Sequence, residues 1–72
     1  MPLRLNKLAK ALRRSGVSVE KPKGGSHWKA KRDDVGTYSI PAHNGMKTEI
    51  PDVYVKKCCV FFGLDYDAVM GR

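Results

Sequence analysis

The stretch PKGGSHWKAK, residues 22–31, places one imidazole, His27, among Lys23, Lys29 and Lys31, directly behind Gly24, Gly25 and Ser26. Histidine titrates near neutral pH, and clustered lysines attract anions, so this group of residues is equipped for proton transfer beside a negative charge. RNA is the substrate that asks for little more. A base takes the proton from a ribose 2′-hydroxyl, the oxygen attacks its own phosphate, and cations stabilise the charge that builds on the phosphoryl oxygens.

Other chemistries are poorly provided for. The two histidines and scattered acids form no HxH or HExxH pattern and no carboxylate cluster, so no metal site is expected and no cofactor is implied. KGGSH lacks the phosphate-loop pattern and leads toward a strand instead of a helix. Ser26 stands next to His27, but neighbours on a strand point to opposite faces, which disfavours a serine hydrolase. Plainer readings stay open beside the catalytic one. A histidine on a basic strand can simply be solvated, Gly24-Gly25 can be a hairpin hinge, and His43 beside Asn44-Gly45 can be a turn residue, the second acid/base or a phosphate contact. Trp28 fits the core better than a stacking role on a base.

Composition narrows the class of partner. Fourteen Lys and Arg against seven Asp and Glu leave a charge of +7 on 72 residues. Arg4, Lys7, Lys10, Arg13 and Arg14 fall in the first nineteen residues, which hold no acid. Such an excess favours polyanions: nucleic acid, an acidic protein or an anionic surface. The length allows one domain with a modest core. Cys58 and Cys59 are adjacent and have no CxxC or Cys/His zinc spacing, which points to two buried thiols in a reducing cytoplasm. No apolar run is long enough to span a membrane. The acid-free opening has the composition of an organelle transit peptide, yet its helix is needed to build a core.

The elements that would position His27 follow from periodicity. Leu5, Leu8, Ala9 and Leu12 recur at helical spacing, and Gly16 is a stop signal, which predicts a helix from Leu3 to Ser15. VSVEK alternates as a short strand with Val17 and Val19 on one side. HWKAKR alternates again, with Trp28 and Ala30 on one face and His27, Lys29 and Lys31 on the other. TYSIPA is a third strand with Tyr38 and Ile40 inward, and HNG is a turn. Pro51 suits the first position of a second helix, DVYVKKCCVFF, which Gly63 would cap. That helix is apolar over about half its circumference, so it is expected to lie between the sheet and something else. LDYDAVMGR ends the chain in a short turn with Asp65 as N-cap and Val69 and Met70 folding back. The order α-β-β-β-α predicts an α+β fold: a three-stranded antiparallel meander with both helices on one face, the sandwich of double-stranded-RNA-binding domains. Its other face is left to water and carries His27, Lys29 and Lys31.

LAKALRRSGVSVEKPKGGSHWKA and YSIPAHNGMKTEIPDVYVKKCCVFFGLD resemble the HicA-type toxins of bacterial toxin–antitoxin modules, from about Leu5 to Asp65. The resemblance rests on Gly-Ser-His opening the second strand, on IPAHN in the third, and on a last helix ending in an aromatic, glycine and Leu-Asp. It implies the double-stranded-RNA-binding type of fold and a metal-independent, ribosome-independent ribonuclease acting on messenger RNA. It also implies a HicB-type antitoxin that covers the active site. His27 matches the family's catalytic histidine, and Gly25 the glycine that brings backbone and RNA close. Two departures stand out: Trp28 occupies the place where many members have a second histidine, and the hairpin WKAKRDDVGTYS is longer than usual. The residues expected at the RNA are therefore His27 as general base or acid, with Lys23, Lys29 and Lys31 facing phosphate. Gly25 and Ser26 would shape the loop, and Arg4, Lys7 and Arg14 of the first helix would hold the backbone. A non-catalytic nucleic-acid-binding module of the same fold is the alternative, and a scaffold acting only through a protein partner is a third.

Overall fold

The computed structural model describes residues 2–71. Helix α1 spans Leu5–Arg14 and buries the stripe Leu5, Leu8, Ala9 and Leu12, with every basic residue outside it. Its end is set by Gly16, whose φ of +81° is open to glycine at no steric cost. The Val17 N–H reaches back to the Leu12 carbonyl at 3.0 Å and closes the last turn. The expected start at Leu3 is corrected. Leu3–Arg4 form a short strand, β1, and Arg4 is therefore a strand residue, not a helix residue. Arg4, the N-cap of α1, makes no side-chain cap bond; the Leu5 N–H donates instead to the Thr48 carbonyl at 2.9 Å.

The meander is β2 (Ser18–Glu20), β3 (His27–Arg32) and β4 (Gly36–Pro41), antiparallel and in that spatial order. Ala30 stands between Val19 and Tyr38, and Lys29 between Glu20 and Ser39. Side chains alternate along each strand, so this register sorts them by face. Val19, Trp28, Ala30 and Ile40 are buried, whereas Ser18, Glu20, His27, Lys29, Lys31, Thr37 and Ser39 are exposed. Tyr38, expected inward, is half-buried at the rim of the core. After β4 the chain makes a single 3₁₀ turn, Gly45–Lys47, and a two-residue strand β5, Glu49–Ile50, that pairs with β1. This second ladder adds to the expected order of elements.

Helix α2 covers Asp52–Phe62 and buries Val55, Cys58, Cys59 and Phe62. Pro51 lies one residue before it as the N-cap, and its carbonyl accepts from the Tyr54 and Val55 N–H groups. Gly63 ends the helix at φ +67°, with the Leu64 N–H bonded to the Cys59 carbonyl. Arg32, at the end of β3, donates from Nη2 to the Phe62 carbonyl at 3.0 Å and so satisfies one of the open carbonyls of α2. A four-residue helix α3, Tyr66–Val69, is capped by the Asp65 carboxylate as expected. Val69 and Met70 pack back on the core. Both long helices and the inner face of the sheet share one core, and the other face of the sheet is open. No helix is long and apolar enough to cross a membrane among the described residues.

Candidate nucleic-acid interface

The open face of the sheet carries a groove of about 380 Å³. One wall is the end of β2 and the segment after it: Glu20, Lys21, Pro22, Lys23 and Gly24. The other is His27 and Lys29 of β3. The groove exists because the chain must bend between two paired strands whose registered ends are Glu20 opposite Lys29. Lys23, His27 and Lys29, expected together from the sequence, do meet here. An imidazole, three ammonium groups and the Glu20 carboxylate line one exposed hollow, whose chemistry is net cationic beside a group able to move a proton.

Lys29 is oriented across the sheet, its Nζ donating to Ser39 Oγ at 2.9 Å. Lys31 stands on the same face, exposed, but outside the groove. At about 3.3 Å per residue it lies roughly 13 Å along the strand from His27, a phosphate or two away on an extended backbone. Gly25 adopts φ +78° with nothing within 4 Å of where a side chain would begin, so glycine serves the turn into β3 there and not a tight packing contact. Ser26 joins the ladder through its carbonyl, which accepts from the Ala42 N–H at 2.8 Å. It is half-buried and has the inward parity of Trp28 and Ala30, so its part in the site is through its backbone.

The helix cations lie elsewhere. Because α1 covers the inner face of the sheet, its exposed side is turned away from the open face. Lys7, Lys10 and Arg14 line a separate groove of about 420 Å³ against Ala68, Val69 and Met70 near the chain's end. Arg4 is registered opposite Glu49 in the small ladder. Of the cations expected at RNA, Lys23 and Lys29 line the groove of His27, and Arg4, Lys7 and Arg14 do not. His43 is exposed in the turn after β4 and does not line the groove.

Two charged residues of the groove were not expected from the sequence as site components, Glu20 and Lys21. Glu20 carried a signal: it shares the outward parity of Ser18, and only the β2–β3 register was needed to set it opposite Lys29, on the groove that His27 also lines. Trp28 is 7% exposed and belongs to the core. The thiols stay out of the chemistry: both are free and buried, and burial pushes the Cys58 thiol up to about 12, with Cys59 raised as well. No group of three or more His, Cys, Asp or Glu able to hold a metal ion occurs among the described residues. The chain matches no family model, no curated protein and no solved structure.

Proposed function

We propose that the protein is a ribonuclease of the HicA toxin type, a metal-independent enzyme that cleaves messenger RNA in the cytoplasm and is silenced by a HicB-like antitoxin. The observation that carries this reading is the shared groove of His27, Lys23 and Lys29 on the exposed face of the sheet. His27 takes the proton of the ribose 2′-hydroxyl, whose oxygen bonds to phosphorus and displaces the 5′-oxygen. A 2′,3′-cyclic phosphate is left, the departing oxygen is protonated by water, and Lys29 and Lys23 hold the phosphate as its charge grows. Glu20, on the same groove, is a carboxylate able to accept a proton, so it offers the base of the converse arrangement in which protonated His27 is the acid at the leaving oxygen. Lys31 extends the cationic track to the next phosphate. Two helices behind a three-stranded antiparallel sheet support a fold of the double-stranded-RNA-binding type, with its open face put to catalytic use. An acidic antitoxin lying on this face stops cleavage by occlusion.

One observation favours a second reading, a non-catalytic RNA-binding module. Trp28 is buried, so the position next to His27 lends the groove no second imidazole. Binding assays do not separate the two, because both predict salt-sensitive affinity. Cleavage of purified RNA by the wild type and by His27→Ala does. The expected result is a loss of about 10²–10⁴-fold in rate for His27→Ala with RNA binding retained, and no effect of EDTA on the wild type. Intact RNA after incubation with the wild type leaves the binding module, and undiminished cutting by His27→Ala moves the site off the groove.

A further inference from the structure

Helix α2 has a second apolar side. Behind the buried set, Val60 is 82% exposed, Val53 53% and Phe61 37%. With Tyr38 of β4, whose ring centroid is 5.4 Å from that of Phe61, they line a groove of about 360 Å³ between the helix and the edge of the sheet. Its remaining walls are Lys56 and Lys57. Apolar side chains gathered at such exposure on a chain this small mark a contact surface.

The edge of the sheet beside this groove is open. Among the described residues, strand β4 pairs with β3 alone. The bond from the Ala42 N–H to the Ser26 carbonyl sets the phase of the ladder. In an antiparallel pair, bonded and non-bonded residues alternate, so Ile40 and Tyr38 bond to β3. Thr37 and Ser39 then direct their N–H and C=O groups away from it, along the free edge. Pro41 lacks an N–H and ends the row.

We propose that the channel between β4 and α2 receives an extended, acidic segment of a partner protein, which adds as a strand to the edge of β4. Its backbone bonds to Thr37 and Ser39, its alternate apolar side chains enter between Tyr38, Phe61 and Val60, and its carboxylates face Lys56 and Lys57. Charge selects the occupant. Lys56 is 3.2 Å from Asp52 yet its side chain stays 60% exposed. A second copy would set these lysines against their own kind and join two chains of +7 each. This surface is built from residues that do not line the His27 groove, and it holds whether or not His27 cuts RNA.

The test is an NMR titration of the full chain with two acetylated peptides of one composition. In the first, Glu and Asp alternate with Val and Ile; in the second the same residues are ordered at helical spacing. The alternating peptide is expected to shift Thr37 and Ser39 and to protect their amide protons from exchange, and Val60→Glu to weaken it at least tenfold. Val60 is so exposed that this variant folds. The proposal is overturned if about 1 mM alternating peptide, enough to register even a weak complex, leaves those amides unmoved. It is overturned equally if the helical peptide binds as well, if Val60→Glu changes nothing, if the free wild type is a dimer that Val60→Glu dissolves, or if single-stranded RNA protects the Thr37 and Ser39 amide protons from exchange as the peptide does.

Discussion

The two long helices are close in length and differ in how they spend their apolar residues. In α1 the buried stripe is Leu5, Leu8, Ala9 and Leu12, and everything outside it is polar, charged or the half-buried Ala11. In α2 four buried residues are backed by Val53, Tyr54, Val60 and Phe61 at the surface. The first helix is fully accounted for by the core it covers. The second carries more apolar surface than the fold consumes, and fold stability alone does not call for it. An amphipathic pattern therefore reports what a helix packs against inside the chain, and an excess over that pattern reports a contact outside it.

Substitutions sharpen the contrast. The largest effect is expected on α1, whose apolar residues serve the core alone. Leu8→Ala, at a side chain with no exposure, should cost about 2–5 kcal/mol in urea or thermal unfolding. That is a large part of the total for so small a domain. A loss below about 1 kcal/mol would mean that α1 is not the anchor of the core. An intermediate effect is expected from acid. The Asp52 carboxylate is held well below the usual carboxylate range, first by the Tyr66 hydroxyl that donates to it and, more weakly, by Lys56. Because its folded value is depressed, the stability it lends is present above the ordinary value near 4 and is lost as pH falls from there toward the folded value. Docking of α3 on α2, followed through the Tyr66 ring resonances, should loosen over that window in the wild type and already be loose at pH 7 in Asp52→Asn. The smallest effect is expected at Val60→Ser, within about 0.5 kcal/mol of the wild type. A clear destabilisation there would show that the outer side of α2 serves the fold after all, and the comparison would collapse.

What could be read in the sequence was whatever repeats over a few residues. The 3.6-residue period of α1, the alternation of β3 and the glycines at 16 and 63 gave elements within a residue or two of their observed bounds. The inward and outward faces of β3 came out correctly for the same reason, and with them the company of His27 and Lys29. What stayed hidden joins distant positions. Two residues of β1 and two of β5 are too short to show alternation, and Leu3 extended the helical pattern by accident of type. The bond from Arg32 to the carbonyl of Phe62 spans thirty positions. The placement of Glu20 and Lys21 on the groove of the imidazole needed a register, and that of Lys7 and Arg14 away from it needed to know which side of α1 is covered.

The bond between the Leu5 N–H and the Thr48 carbonyl has a consequence for the order of events as the chain is made. Helix α1 starts on a group that is synthesised forty-three residues later, and the strand leading into it pairs with Glu49 and Ile50. Until that segment emerges, the leucine face has the meander to pack on but neither its helical start nor the β1–β5 ladder. A nascent chain stalled before Thr48 therefore holds its longest apolar stripe less firmly than the finished domain does.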